Sequence, residues 1–295
     1  MMAESNVCIV GSMNMDLVVT TETMPQQGET VMGKDFSKNP GGKGANQAVA
    51  ASRMGANVHF IGAVGDDTFG QTLLDNLTNE GIQTGGVEII PEAATGTATI
   101  ILSNQDNRII VAPGANNGVT PELVERHRRL IAGSDVVLLQ LEVPMETVVF
   151  SVEEAAKSGV PVILNPAPYQ RLPDSVLQGV RWLTPNELEA TELANDAPDE
   201  TVREKWIVTR GAHGATFMEN GQEKPVDGYT MKVNDTTGAG DTFNGALASA
   251  LGVDASIDRA IQMANAAAAL SVTKTGAQHG MPTKRQTEIF LQENH

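Results

Sequence analysis

Two carboxylates and a run of small residues lie together at positions 235–246, Asp-Thr-Thr-Gly-Ala-Gly-Asp-Thr-Phe-Asn-Gly-Ala. From Phe243 onward apolar residues recur at helical spacing, so the glycines stand where a loop becomes a helix N-terminus. Free backbone N–H groups and the helix dipole make such a terminus an anion site. Asp241 suits that site if it accepts a proton from a hydroxyl that attacks a bound phosphoryl group. A glycine-rich turn capped by Asp is the alternative interpretation.

A second glycine-rich stretch, Asn-Pro-Gly-Gly-Lys-Gly-Ala-Asn-Gln-Ala, occupies positions 39–48. Its glycines allow close backbone approach to a ligand at a helix start, with Lys43 and Asn46 beside it. The pattern is not a Walker A loop, because GxxxxGK[ST] is not matched. A helix cap is the alternative, which a lysine inside the glycine run weakens.

Polar residues also follow the predicted strand at 7–10. Asn14 and Asp16 are two apart, so on an extended segment they point the same way, as a diol-binding pair would. Surface polarity in a turn explains the same residues. Because ligands bind at the carboxyl ends of strands in α/β sheets, such junctions should cluster.

Four later junctions carry further candidates. Glu142 follows the strand at 136–139 and could accept hydrogen bonds from sugar hydroxyls, whereas the Asn165-Pro166 loop reads as shaped by proline alone. Asn186 and Glu189 share one face of a first helical turn and could hold hydrated Mg²⁺, although helix capping by Asn186 or Thr184 is the commoner explanation and needs no metal. The loop 209–214 suits nucleotide contact or a plain hairpin turn.

The element pattern predicts an α/β fold with a mostly parallel central sheet and helices on both faces. Apolar runs predict buried strands at 7–10, 58–62, 136–139, 160–164, 182–183 and 207–209. Helical patterns fall at 45–54, 69–80, 122–131 and 145–158. Two strand pairs, 17–21 with 29–32 and 97–102 with 108–111, interrupt this rhythm and predict a small β-sheet lid. Between Glu189 and Trp206 there is room for only a poor crossover helix.

Composition narrows the function. The 295 residues carry a net charge of −16, which disfavours nonspecific binding to nucleic acid or anionic membranes. Cys8 is the single cysteine and lies in an apolar strand, so neither a disulfide within the chain nor a multi-cysteine metal site is expected. Without a basic n-region or an apolar stretch near 18 residues, a cytoplasmic location is expected.

Taken together, these motifs resemble the PfkB-type carbohydrate kinase family, in the form typical of ribokinases. The resemblance rests on Gly-Gly-Lys-Gly-Ala-Asn-Gln-Ala at 41–48 and on the stretch at 235–246. It also includes Gly-Ser-x-Asn-x-Asp at 11–16, Asn-x-x-Glu at 186–189 and Lys-x-Gly-Ala-Gln at 274–278, and so covers essentially the whole chain. It implies ATP-dependent phosphorylation of D-ribose at O5.

The resemblance also assigns roles to residues. Asp241 would be the general base, and the N–H groups of Gly238, Ala239 and Gly240 would form the anion hole. The residues implied to bind the sugar are Asn14, Asp16, Gly41, Gly42, Lys43, Asn46 and Glu142. Those implied to contact ATP are Asn186, Thr209, Arg210, Gly211, Ala212, His213, Gly214, Gly240 and Asn265.

Two cations are implied as well. Asn186 and Glu189 would order Mg²⁺ and its waters. A potassium ion would be bound by Asp235, Thr237, Ser271, Lys274, Gly276 and Gly280. Residues 1–12, 38–94 and 113–295 would form the kinase domain, and 13–37 with 95–112 the lid, which would also pair two subunits into a homodimer.

Two departures from the family pattern stand out: the segment between Glu189 and Trp206 is short, and Asn265 stands where ribokinases can carry His. Two alternatives stay open. One is a kinase for another small sugar, such as 2-deoxyribose or fructose. The other is a non-catalytic sugar- or nucleotide-binding regulator on the same fold.

Overall fold

The computed structural model describes residues 4–103, 106–197 and 199–294, with only the backbone of 106 and 107. In chain order the strands are β1 (Asn6–Val10), β2 (Asn14–Thr21), β3 (Gly33–Gly41), β4 (Asn57–Gly65), β5 (Gln83–Ile90), β6 (Gly96–Ser103), β7 (Asp106–Ala112), β8 (Val136–Leu139), β9 (Val162–Leu164), β10 (Trp182–Leu183), β11 (Ile207–Thr209), β12 (Ala215–Glu219) and β13 (Gln222–Val226). The α-helices are α1 (Lys43–Arg53), α2 (Thr68–Asn79), α3 (Pro121–Ala132), α4 (Met145–Ser158), α5 (Asp174–Gly179), α6 (Glu187–Asp196), α7 (Glu200–Arg203), α8 (Ala239–Leu251), α9 (Ile257–Ser271) and α10 (Lys284–Glu293).

A parallel sheet in the order β10-β9-β8-β1-β4-β5 forms the centre of the described chain. Strand β1 alternates between two cores: Val7 and Ile9 pack with residues of α1, α8 and α9, and Cys8 and Val10 pack with residues of α3, α4 and α5. Helices therefore cover both faces, and the predicted α/β class is confirmed. Burial raises the pKa of the Cys8 thiol to about 12, so it stays protonated inside its strand.

A four-stranded sheet in the order β3-β2-β6-β7 stands beside the main sheet and joins the two predicted strand pairs. The prediction of a strand at 29–32 was wrong, because β3 begins at Gly33 and pairs antiparallel with β2. A turn precedes it, where Gly28 has a φ of 82° and the Glu29 N–H donates to the Gln26 carbonyl. Lys34, Lys38 and Pro40 suit β3 to an exposed sheet edge.

The crossover after β10 holds more regular structure than its composition indicated. Helix α6 has a full capping box at its start, and the shorter α7 follows it. Isolated parallel bridges from Leu183 to Trp206 and from Asn186 to Thr209 then bring β11 alongside β10. The antiparallel sheet β11-β12-β13 thus lies beside β10, at one lateral edge of the main sheet.

Candidate active site

Asp241 lies in the first turn of α8 and is 8% exposed. Gly238 precedes this helix with a left-handed φ of 78°, and a Cβ there would stand 2.6 Å from the carbonyl oxygen of Ala277. No side chain in the described part of the protein caps α8. Space next to Gly240 is open, whereas the Ala239 N–H donates to the Thr236 carbonyl at 3.2 Å. The helix start is therefore an uncapped N-terminus facing open space, as the sequence predicted.

The carboxylate of Asp241 brings the two glycine-rich stretches together. Its Oδ2 accepts a hydrogen bond from Asn46 Nδ2 at 3.0 Å, and its Oδ1 accepts one from Gln47 Nε2 at 3.0 Å. Both donors lie on α1, which packs along α8. Asn46, predicted to bind sugar, thus also contacts the predicted base across 195 positions of sequence.

Asn14 and Asp16 lie on β2, next to Gly41 at the end of β3 and to Gly42, which precedes α1. A Cβ at Gly41 would stand 2.4 Å from an Asp16 carboxylate oxygen, and one at Gly42 would stand 2.6 Å from the Asn14 backbone nitrogen. Gly42 has a φ of 90° as well. Both glycines are therefore required by the close approach of the Asn14–Asp16 strand, which explains why this part of the motif tolerates no side chain.

Charge is concentrated around the residues that the sequence predicts to bind sugar. Burial, with further repulsion from Glu142 and Asp241, raises the pKa of Asp16 to about 7. Burial alone would lower the pKa of Lys43, but Asp241, Glu142 and Glu189 outweigh it and the pKa is raised. Lys43 therefore stays protonated among these carboxylates.

Glu142 contacts the loop after β1 and the start of α1 through one carboxylate oxygen. Its Oε2 accepts hydrogen bonds from Ser12 Oγ at 2.5 Å and from the Lys43 backbone N–H at 3.1 Å. The carboxylate thus fixes the start of α1 against the loop after β1. This contact brings Glu142 beside the other residues predicted to bind sugar.

A cavity of about 260 Å³ opens on the other side of the α8 N-terminus. Thr209, Gly211, Ala212, Gly214, Gly240 and Asn265 line it, together with apolar side chains that include Tyr229, Met231, Val233 and Phe243. Its apolar lining with polar groups at one end suits a nucleotide base and ribose. The Asn265 side chain is also held in place, because its Nδ2 donates to the carbonyls of Val226 and Asp227. Arg210 pairs with Glu223 and lines a different cavity.

Asn186 and Glu189 form a reciprocal capping box at the start of α6. The Asn186 N–H donates to Glu189 Oε2 and the Glu189 N–H donates to Asn186 Oδ1, each at 2.9 Å. Burial raises the pKa of Glu189, against opposing contributions from the Asn186 N–H and Lys43. Each side chain still has oxygen lone pairs that can accept hydrogen bonds from the waters of a hydrated cation. No cluster of three or more acidic, His or Cys ligands occurs in the described ranges.

The predicted potassium ligands are brought together by Asp235. Its carboxylate accepts from the Gly276 N–H at 2.8 Å and the Thr237 N–H at 2.9 Å. Burial alone would raise the pKa of Asp235, but these hydrogen bonds lower it, so the group is ionised at neutral pH. A Cβ at Gly280 would stand 1.9 Å from the Ser271 carbonyl oxygen, so those two backbones touch. Anionic and carbonyl oxygens gathered in one loop pair fit a monovalent cation.

Comparison with known sequences identifies the family of this chain. Residues 4–284 match the pfkB family of carbohydrate kinases. The ribokinase of Bacillus subtilis is 43% identical over 293 residues, which cover 97% of this chain and 99% of that protein. The chain belongs to the pfkB family. Another relative in this family, the deoxyribokinase of Salmonella typhi, is 35% identical over 98% of this chain and 99% of its own length.

Solved structures of pfkB relatives have the same fold. The ribokinase of Thermotoga maritima superposes with a TM-score of 0.89 at 35% identity, covering 98% of this chain and 99% of its own. The ribokinase of Arabidopsis thaliana, complexed with ribose and ATP, superposes with a TM-score of 0.90 at 29% identity and the same coverage. No helix in the described part of this pfkB-family chain combines the length and apolarity needed to cross a membrane.

Several residues of the site had no signal of their own in the sequence. Asn116 holds the Asn14 strand, donating to Asn14 Oδ1 at 2.8 Å and accepting from the Met13 N–H at 2.9 Å. Its sequence context reads as an ordinary turn. Asn165 was read as part of a proline-shaped loop, yet its side chain contacts Gln47 and the Thr184 carbonyl. Only contacts between distant parts of the chain reveal these roles.

Proposed function

We propose that this chain is a ribokinase, which transfers the γ-phosphoryl group of ATP to O5 of D-ribose to give D-ribose 5-phosphate and ADP. The observation that carries the proposal is the position of Asp241, a buried carboxylate in the first turn of an uncapped helix. On one side lies the Asn14–Asp16 pair, and on the other the nucleotide-sized cavity. The ribokinases among its relatives, including the Arabidopsis enzyme complexed with ribose and ATP, support the choice of sugar.

The chain's own groups supply positioning and electrostatic stabilisation. Asn14, Asp16 and Glu142 accept hydrogen bonds from sugar hydroxyls, and Lys43, Asn46 and the backbone of Gly41 and Gly42 complete the pocket. Asp241 accepts the proton of the attacking O5 hydroxyl. The N–H groups of Gly238, Ala239 and Gly240 then stabilise charge on the transferred phosphoryl group. For Ala239 this requires the N–H to leave the Thr236 carbonyl that it contacts in this structure.

The nucleotide occupies the cavity beside α8, against Thr209, Gly211, Ala212, Gly214 and Asn265. Asn186 contributes at the phosphate end, and Arg210 and His213 border the same loop. Asn186 and Glu189 hold Mg²⁺ through its waters, which fits a site where the phosphates provide the other ligands. Mg²⁺ offsets the negative charge that ATP adds to a site already rich in carboxylates.

Asp235 and Thr237, with backbone oxygens of Ser271, Lys274, Gly276 and Gly280, bind K⁺ next to the anion-hole loop. The charge of the ion stiffens the loop that carries Gly238 to Gly240. We expect kcat to fall when K⁺ is replaced by Li⁺ at equal ionic strength, measured by ADP formation. Equal turnover in both salts would contradict the cation assignment and leave the kinase assignment intact.

Residues 13–37 with 95–112 act as a lid over the sugar, and residues 1–12, 38–94 and 113–295 form the kinase domain. The lid sheet carries exposed apolar side chains at Phe36, Ile109 and Ile110, which supports its pairing with a second copy in a homodimer. As part of the same proposal, we place this sugar kinase in the cytoplasm.

Side-by-side kinetics with ribose, 2-deoxyribose and fructose test the proposal. The Asn14–Asp16 pair favours a ligand with vicinal hydroxyls, so we expect the highest kcat/KM with ribose. A higher value with 2-deoxyribose, for which the similarity to the Salmonella deoxyribokinase provides the second candidate, would reassign the substrate. Absence of sugar-dependent ADP formation with all three would favour the non-catalytic regulator.

A further inference from the structure

The carboxylate of Asp241 is held by two neutral amides. Asn46 Nδ2 donates to one oxygen and Gln47 Nε2 to the other, each at 3.0 Å. Two donors on separate oxygens fix the rotation of the carboxylate plane about its bond to the β-carbon. An ionised carboxylate has about four acceptor positions, so two remain for an incoming hydroxyl. The orientation of these two positions therefore depends on the two amides.

Gln47 is itself held by a second layer of amides. Its Oε1 accepts from Gln140 Nε2 at 2.6 Å, and its Nε2 also reaches Asn165 Oδ1 at 3.2 Å. Asn165 in turn donates to the Thr184 carbonyl at 3.1 Å. Gln47 and Gln140 are both fully buried. Gln47 therefore has no solvent-facing surface with which to touch a sugar or nucleotide.

Because Asp241 can only accept hydrogen bonds, it fixes the orientation of the side-chain amides of Gln47 and Gln140. An ionised carboxylate only accepts hydrogen bonds, so Gln47 must turn its Nε2 toward Asp241 and its Oε1 toward Gln140. Gln140 must then donate to Gln47, and its own Oε1 is buried without a hydrogen-bond partner among the described residues. An unpaired buried acceptor costs stability, and two apolar side chains at these positions would avoid that cost. The need of the Asp241 carboxylate for a hydrogen-bond donor explains why amides and not apolar side chains occupy positions 47 and 140.

Asn46 is less informative than Gln47, because it is itself proposed to contact the sugar. Its Oδ1 accepts from Gln278 Nε2 at 2.9 Å, and Gln278 Oε1 accepts from Asn76 Nδ2 at 2.9 Å. Changes at Asn46 would alter sugar affinity and carboxylate orientation together. Gln47 contacts Asp241 without facing the pocket, so its effect on turnover can be separated from binding.

We propose that Gln47 is a positioning residue that aims the Asp241 carboxylate at the attacking hydroxyl, with Gln140 as its orienting partner. The proposal rests on the proposed function, in which Asp241 accepts the proton of the sugar hydroxyl. Gln47→Leu removes the donor at similar volume. A misplacement of the base by about 1 Å lowers turnover by up to about 100-fold, so we expect kcat to fall about 10- to 100-fold. The KM for ribose and ATP, and the ribose Kd by calorimetry, should stay within about threefold of the wild-type values.

A second variant separates positioning from folding. Gln47→Leu leaves Gln140 without its acceptor, whereas the double variant Gln47→Leu/Gln140→Leu removes both partners of that one hydrogen bond and so avoids the cost of the unpaired Gln140 donor. The unfolding midpoint of the double variant should return toward the wild-type value while kcat stays as low as in Gln47→Leu. Recovery of kcat together with stability would assign Gln47 a structural role and overturn the proposal.

A control variant and the wild type complete the test. Gln71→Leu changes the same residue type on the exposed face of α2, where the side-chain amide donates to Asp75, and should leave kcat within about twofold. Unchanged kcat in Gln47→Leu, with an active wild-type protein, would overturn the proposal alone. A wild-type protein without sugar-dependent ADP formation would overturn the proposed function and the positioning role with it.

Discussion

Among the carboxylates of the site, Asp16 is held at a pKa of about 7 by burial and by repulsion from Glu142 and Asp241. The unfolded chain releases this proton near pH 4, and the folded protein keeps it until about pH 7. Stability contributed by Asp16 is therefore greatest below pH 4 and falls as the pH rises to about 7. In the proposed function Asp16 acts as a carboxylate, at a position where folding alone would favour a neutral group.

Asp16→Asn removes this titration and tests its sign. We expect the variant to gain about 1–3 kcal/mol of unfolding free energy over the wild type at pH 8, and much less at pH 4.5. The ribose Kd should rise about tenfold or more, because a charge-assisted hydrogen bond is lost. Urea unfolding at both pH values and calorimetry measure these effects. An equal difference in stability at pH 4.5 and pH 8 would contradict the raised pKa.

At this scale, the sequence indicated the residues that are charged or that stand in a glycine motif. Asp16, Lys43 and Asp241 were predictable because their charges and neighbouring glycines imply specific chemistry. Asn116, Gln47 and Gln140 were not, since a neutral amide acquires its role only from the partner that the fold brings to it. Asn116 meets the Met13 backbone across 103 positions of sequence, a distance that no local pattern spans.

Among the helices, α1 and α8 position the site by packing closely against each other. Gly245 allows this approach: a Cβ there would stand 2.5 Å from the Gln47 carbonyl oxygen and 2.6 Å from Ala50 Cβ. Asn46 and Gln47 reach Asp241 only because the two helices are this close. The glycine late in the 235–246 motif is therefore explained by helix packing rather than by contact with phosphate.

Gly245→Ala should separate the two helices. Overpacking destabilises by about 1–3 kcal/mol, and kcat should fall because the amides of α1 move away from Asp241. Gly85→Ala is the matched control, since no atom lies within 4 Å of a Cβ at that exposed position. Thermal unfolding and steady-state kinetics of both variants measure the effect. Equal stability and turnover in the two variants would contradict close α1–α8 packing.

Helices and strands were predicted correctly where the apolar periodicity was strong. The prediction failed where pairing with a neighbouring strand or a nearby turn determined the bounds of a strand. The strand at 136–139 and the helix at 145–158 were predicted with the bounds observed. Strand β5 was missed, because Gln83-Thr84-Gly85-Gly86 reads as a loop, although parallel pairing with β4 makes it a strand. The strand near 29–32 was placed too early because β-branched residues there outweighed the turn at Gly28.

Over the whole molecule, the lid sheet has the largest group of exposed apolar side chains in the described chain. On its edge strand β7, Ile109, Ile110 and Val111 are 53%, 67% and 45% exposed, so both faces of the strand are apolar and open. An exposed edge with apolar faces is a surface that proteins cover. A second lid would cover it in the proposed homodimer.

Ile110→Glu tests this pairing. Light scattering after size-exclusion chromatography should give a dimer for the wild type and a monomer for the variant at micromolar concentration, because the partner surface would have to bury a charge. Ile289→Glu changes a half-exposed isoleucine on α10 and should remain dimeric. A monomeric wild type, or a dimeric Ile110→Glu variant, would contradict a dimer through the lid.

The strand proposed to bind the sugar, the cavity proposed for the nucleotide and the loop proposed for the cation all meet at the first turn of α8. The sequence predicted this convergence in part, because the polar residues after β1, β8, β9 and β10 follow parallel strands of one sheet, whose carboxyl ends lie at one edge. It could not predict the amide contacts that fix Asp241. In the proposed mechanism, Asp241 alone accepts the proton, while the surrounding groups bind and orient the reactants. A change at Asp241 should therefore lower turnover without weakening substrate binding.

The most direct measurement is the turnover of Asp241→Asn with ribose and ATP, alongside ribose affinity by calorimetry. Asn matches the shape of the carboxylate and cannot act as the base. We predict that kcat falls by about two to four orders of magnitude while the ribose Kd stays within about threefold of the wild-type value. Turnover close to the wild-type value in this variant would contradict the assignment of Asp241 as the general base.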